Sequence, residues 1–461
     1  MTTDYRSYSF WLENPGDDLT PRDPLDGTTV VDVAILGAGF TGLWTAYYLL
    51  QKQPALKIAV VEKEIAGFGP SGRNGGWCSG SFPVTPGMLR ERYGAEAARS
   101  LLLAMYEAVD EVGRVAATEG IDAHFVKGGS LRLARGAHQL PSIQSSYETM
   151  VKLGLGDHYW LLDAAQVAER VRVAGALGAI ATPECASLHP ARLVRGLARA
   201  VEVHGGTIYE QTEVIDFVTG SAPRLITRRG DVHARTIVLA GESYLTRLTK
   251  LHRQLIPVYS LMIASEPLTD GQWAEIGWQD RACIGSSRLS VDYLSRTADG
   301  RILFGGRGAP YRFGSRIDDA FDRYPPTHAE LRRMFVEWFP SLANIRFTHA
   351  WGGPLGMPRD WMPTMSFDPA LGLATARGYT GTGVATANLS GRVLSDLILG
   401  VDSPLTHLPP VGHYSPDWEP EPLRWIGVRY VQQGFHRLDE QGQRTGRAPT
   451  GRSLVEKLGR H

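Results

Sequence analysis

The sequence predicts an α/β fold in which a Rossmann-like dinucleotide-binding domain is interleaved with a second, α+β domain. Three observations predict it. Residues 30–62 read as strand, Gly-rich turn, helix and second strand; residues 67–80 form a second Gly-rich loop; and residues 378–400 repeat the pattern of strand end, Gly turn and helix. A chain of 461 residues exceeds the roughly 250 to 300 residues at which single cores stop growing, so two lobes are expected. Hydrophobic residues at 43% and charged residues at 21% fit a globular protein. A formal net charge of +0 gives no electrostatic reason to expect nucleic acid or an anionic membrane as partner.

In chain order, residues 1–29 read as an extended lead-in, with Phe10 and Trp11 tucked onto the body. VVDVAIL is apolar enough for one parallel strand covered on both faces, and it runs into GAGFTG, a helix (LWTAYYLLQKQ) and a second strand (KIAVVEKE). Gly37, Gly39 and Gly42 have the GxGxxG spacing in its proper context. Gly37 permits the turn, Gly39 lets the backbone approach a pyrophosphate, and Gly42 lets the helix sit close to the sheet. Ala38, Phe40 and Thr41 complete the turn, whose helix N-terminus favours phosphate. Glu62, with Lys63 beside it, ends the second strand, where an acid accepts hydrogen bonds from a ribose. Residues 86–120 read as helical, 121–180 as mixed, and 189–206 as an amphipathic helix followed by three strand-like pieces. Strands and one helix fill 257–345, and a short helix is expected around RWIGVRYVQQGFHRL in the tail.

The domains that follow are residues 1–85, 181–256 and 346–400 for the dinucleotide, residues 86–180 and 257–345 for the substrate, and a C-terminal extension, 401–461. Three further segments favour an enclosed FAD over a transient nicotinamide. The 67–80 loop offers Gly69, Ser71, Arg73, Asn74, Gly75 and Gly76 to phosphate and flavin edges. Val214 can flank an adenine, and Gly241 can pass close to a ribose. The GYTGTG turn, with Gly381, Thr382, Gly383 and Val384, sets a helix N-terminus where a flavin gathers negative charge on reduction. Cys78, near the flavin loop, offers a covalent link, but a small Cys packed under a loop is commoner, so the FAD is expected to be non-covalent. No His/Cys/Asp cluster has metal-ligand spacing. The N-terminus lacks a secretory pattern, no run approaches the ~18 apolar residues of a membrane span, and Cys78, Cys185 and Cys283 form no CxxC pair. A cytoplasmic setting is expected.

The order of GAGFTG, GPSGRNGG, a helix beginning HPARL, VLAGES and GYTGTG resembles the D-amino-acid oxidase superfamily over roughly residues 8–400. SGRNGG, LFGGRG at residues 303–308, and Trp351, Gly352, Gly353 followed by Pro363 are most similar to its gamma-glutamylputrescine oxidase branch. The resemblance implies a GR2-type FAD-binding domain with a substrate domain built on an antiparallel sheet. It also implies oxidation of a C–N bond to an imine, with O2 or another acceptor taking the electrons. Similar enzymes acting on amino acids place an Arg where this chain has Leu355, with Arg359 nearby, so a primary or secondary amine is the expected substrate. Arg288, Arg307, Arg312 and Arg316 are candidates for an anionic tail on it, such as a carboxylate or phosphonate, and Arg307 is the one expected beside the cavity. Tyr259, Trp351 and Tyr379 are candidate aromatic walls, His349 a candidate general base, and His189 a helix cap. Thr382 stands where the branch often carries His. An amino-acid oxidase or dehydrogenase, a flavoenzyme acting on a non-amine substrate, and a non-catalytic flavin-holding subunit remain alternatives.

Overall fold

Short, almost wholly buried apolar runs build a central parallel sheet in the computed structural model, which describes residues 3–307 and 309–459. Its strands lie in the order Thr207–Tyr209, Ile58–Val61, Val33–Leu36, Thr236–Leu239 and Leu373–Arg377, all parallel, with Thr364–Asp368 antiparallel at the edge. Helices cover one face, as a parallel sheet requires. Phe40–Lys52 packs along Gly383–Leu399, and Lys52 pairs with Asp396 at 2.5 Å. A four-stranded sheet that includes Val214–Val218 lies against the other face.

The single strand expected over residues 30–36 is two. Thr29–Val30 joins the four-stranded sheet, and Val33–Leu36 joins the parallel one. Asp32 forces the break, because its carboxylate accepts from Lys57 N and pairs with Arg235, outside either ladder.

The second large sheet has eight strands, in the order Phe347–Met357, Ile256–Ser265, Ile302–Arg307, Asp292–Arg296, Cys283–Ser286, Ser130–Arg135, Ala176–Thr182 and Trp160–Asp163. All neighbours are antiparallel except Cys283–Ser286 with Ser130–Arg135. Helix Pro325–Trp338 buries Phe335 and Trp338 against Phe304 on one face. The other face looks towards the parallel sheet. One boundary needs correction. Phe347–Met357, expected in the dinucleotide-binding domain, pairs along its length with Ile256–Ser265 and belongs to this sheet.

The two termini brace the body. As expected, Trp11 is buried, and its indole N–H donates to Asn74 O at 2.7 Å. The extension carries a helix much longer than expected, Leu423–Thr445. Trp418 anchors its approach by donating to Met357 O, and Asp439 accepts from Leu289 N, Ser290 N and Ser290 Oγ. Among the described residues no helix is long and apolar enough to cross a membrane.

Candidate active site

A cavity of about 1120 Å³ lies between the two large sheets. Two helices begin at its wall. Phe40–Lys52 starts from Gly39 and Gly383–Leu399 from Thr382, and neither of these residues caps its own helix with a side chain. Uncapped N-termini leave N–H groups and a positive dipole end for a ligand. Tyr379 and Thr41 join the two turns through their hydroxyls at 2.9 Å. Gly42 has no room for a side chain, since a Cβ there would stand 2.0 Å from Gly37 O.

The 67–80 loop is fastened to the first turn by Ser71, whose Oγ accepts from Phe40 N at 2.9 Å. Asn74 holds the loop together, donating to Pro70 O and Ser71 O and accepting from Gly76 N. Arg73 departs from expectation. Its guanidinium is committed to a buried ion pair with Asp322 at 2.5 Å and to Tyr244 Oη at 2.8 Å, over the Phe68 ring. It therefore shapes the loop and leaves no free fork for phosphate.

Glu62 lines the cavity, with its carboxylate accepting from Ala38 N at 2.9 Å and Glu64 N at 3.0 Å. Burial pushes its pKa up to about 7. Lys63 also lines the cavity and pairs with Glu213 at 3.0 Å. Gly37, Gly39, Phe40, Thr41, Gly69, Asn74, Gly75, Val214, Gly241, Gly381, Gly383 and Val384 share this wall, whereas Ala38, Gly42 and Gly76 support it from behind. A dinucleotide fits such a cavity. One uncapped turn suits a pyrophosphate, an acid suits a ribose, and a second uncapped turn suits the electron-rich edge of a flavin. Cys78 is buried away from the lining, in the core.

Residues 32–397 match the family described as FAD dependent oxidoreductase (DAO). The chain belongs to this family. It is 28% identical over 387 residues to the gamma-glutamylputrescine oxidoreductase of Escherichia coli (strain K12), covering 82% of this chain and 86% of the relative. It is 30% identical over 389 residues to a probable oxidoreductase, OrdL, of Rhizobium meliloti (strain 1021), covering 83% and 86%. The fold matches a crystal structure of glycine oxidase from Geobacillus kaustophilus with a TM-score of 0.68 at 21% identity, covering 81% of this chain and 96% of that one. The chain is thus an FAD-dependent oxidoreductase with a Rossmann-like cofactor domain.

The substrate-side candidates of this DAO-family enzyme divide. Arg307, Tyr379 and Thr382 line the cavity, and Arg307 donates to Thr380 O at 2.5 Å. Gly308, its neighbour in LFGGRG, lies outside the described residues. Tyr259 is a correction. Its hydroxyl is spent on Asp318, accepting from N and donating to O, and its ring packs on Phe321. Trp351 also leaves the list, being buried behind the loop with its indole N–H on Arg73 O at 2.9 Å. His349 shares the strand face of Gly353 and Leu355 but stands at the other end of the strand, beyond the cavity, bonded to Glu13 and Thr348 and edge-on to Phe10. Arg312 stacks on Phe321, Arg316 pairs with Asp318, and neither lines the cavity, although Arg288 does. Leu355 lines it too, while Arg359 turns to Glu419 at 3.0 Å. His189 caps its helix by accepting from Arg192 N.

Two cavity-lining positions escaped the sequence reading. Glu242 accepts from Gly378 N, Tyr379 N and Gly356 N, at 2.8 to 3.3 Å, and so pins the GYTGTG turn to the end of the Phe347–Met357 strand. Its place directly after Gly241 at a buried strand end was the available signal. Arg132 projects from Ser130–Arg135 into the cavity, and the alternation of LRLAR was its only trace.

Proposed function

We propose that this enzyme oxidises a C–N bond in a primary or secondary amine to an imine, which water hydrolyses to an aldehyde and an amine or ammonia. The carbon gives up a hydrogen with two electrons and the nitrogen gives up a proton as the C=N bond forms. FAD, when bound, would supply the acceptor for the electron pair, which O2 would then take up as H2O2. In this reading Gly37, Gly39, Phe40 and Thr41 hold the pyrophosphate, Glu62 the ribose, and Val214 the adenine. Gly381, Thr382, Gly383 and Val384 face the flavin ring.

The observation that carries the choice of amine is Leu355. An apolar side chain lines the cavity there, and the nearby Arg359 is engaged by Glu419, so neither offers a fork to an α-carboxylate. Arg307, beside the second helix start, donates to Thr380 O and places a positive charge at the end of the cavity where reduction gathers negative charge. The test is anaerobic addition of polyamines, N-methylated amines, aminoalkylphosphonates and amino acids of both hands. Bleaching of the flavin by an amine, followed by H2O2 release on admitting air, is expected. Bleaching by α-amino acids alone would replace this reading with an amino-acid oxidase, and bleaching by none would end it.

A further inference from the structure

The inner face of the eight-stranded sheet forms one wall of the cavity. Gly305, Tyr293, Gly285, Arg132 and Ile180 are successive cross-strand partners. Residues in such a row project from the same face, and Arg307, two positions beyond Gly305, shares it. The strands of Arg307 and Arg132 are three spacings apart, about 14 Å. Arg307 stands at the helix start of Gly383, where its guanidinium donates to Thr380 O. Arg132 stands at the other end.

The Arg132 side chain has no hydrogen bond or salt bridge among the described residues. Arg132 lines the cavity, and its side chain is exposed. Desolvation by the cavity walls lowers its pKa and only the Tyr159 hydroxyl opposes this, so no carboxylate balances the charge. The groups at this end are hydroxyls: Ser130, Thr182 and Tyr159 from the sheet side, and Ser142, Ser146 and Thr149 along helix Leu140–Lys152. Asp292, which also lines the cavity, is occupied by Ser286 N at 2.7 Å and Ser286 Oγ at 2.9 Å. A cavity-lining guanidinium without a protein counter-charge keeps its planar fork free for an oxyanion.

We infer that Arg132 binds a terminal oxyanion, carboxylate or phosphonate, on a substrate whose amine lies at the Gly381 end of the cavity, so that a spacer chain separates the two groups. This rests on the amine-oxidising reading above. An α-amino acid, with both groups on one carbon, does not bridge the two ends.

The test compares ω-amino carboxylates of increasing spacer length, their neutral ω-amino amides and the matching ω-aminophosphonates by anaerobic stopped-flow flavin reduction. The wild-type enzyme is expected to bind the anionic members more tightly than the amides. Arg132→Gln should raise Kd for the anionic members roughly 10- to 100-fold, leave Kd for the amides and the limiting reduction rate unchanged, and be partly rescued in Arg132→Lys. The preferred head group separates carboxylate from phosphonate. Equal Kd for acids and amides in the wild type, or equal weakening of both by the substitution, overturns the inference. Flavin content and visible spectrum verify that the variants fold. Titration of the oxidised holoenzyme with glutarate or propylphosphonate, followed by flavin absorbance, needs no turnover. If no amine reduces the flavin, the proposed function falls. The anion site then stands if these probes bind wild type and lose affinity in Arg132→Gln, and falls if both proteins bind them alike.

Discussion

Glu242 holds three backbone N–H groups with one carboxylate, at a backbone φ of +48°. Glu242→Ala strands those donors, at about 1–3 kcal/mol for each buried group left unpaired. A lower Tm and loss of flavin on dialysis are expected, with Glu242→Gln milder because it keeps an acceptor oxygen. Glu62 and Glu242 both have pKa values raised by burial from 4.5 to about 7. Each carboxyl therefore holds its proton more tightly folded than unfolded. The stability this contributes to the apoprotein is complete below pH 4.5 and is lost as pH rises through 7. A ribose hydroxyl donating to Glu62 favours the ionised form, so FAD should bind more tightly between about pH 6 and 8 as pH rises, releasing protons. Calorimetry in two buffers of different ionisation enthalpy measures that release, and Glu62→Gln should diminish it. At this scale the GxGxxG glycines were legible because each answers a local steric demand. Tyr259, Trp351 and His349 were not, since Asp318, Arg73 O and Glu13 reach them only through the fold.

Two helix starts facing one cavity are the elements on which the cofactor reading rests, and the second depends on a left-handed residue. Gly381 has φ +99°, and a Cβ there would come within 2.6 Å of Arg307 Nη2. Gly381→Ala should cost about 1–3 kcal/mol in strain and push Arg307 off Thr380. Thermal unfolding and the flavin absorption spectrum, both shifted from wild type, would report it. Helix Phe40–Lys52 was legible from its Gly turn and unbroken apolar content, and Pro190–Val203 from its amphipathic spacing. Leu423–Thr445 was underestimated because charged and polar residues interrupt its apolar pattern. Its position is fixed by Glu421, which accepts from Tyr311 Oη and Gly314 N, and by Asp439, which accepts from the 289–290 loop. The break at Asp32 was invisible for the same kind of reason, because Lys57 and Arg235 come from distant segments.

Across the whole molecule, the extension adds a wall to a cavity that the family-matched part of the chain, residues 32–397, leaves incomplete. Phe435 and Gly459 line the cavity, and Asp439 steadies the loop that carries Arg288. Asp439→Ala removes the acceptor for three donors. It should lower stability by about 2 kcal/mol or more and raise KM more than it changes kcat, as a Tm shift and steady-state kinetics would show. The order of motifs made the cofactor domain readable, but nothing in residues 401–461 announced that they return to the cavity. That return has a temporal side. A ribosome delivers the proposed FAD-contacting positions, the last of them Val384, well before Phe435 and Gly459 exist. Domains fold as they emerge, so the proposed flavin positions can assemble before Phe435 and Gly459 add their wall.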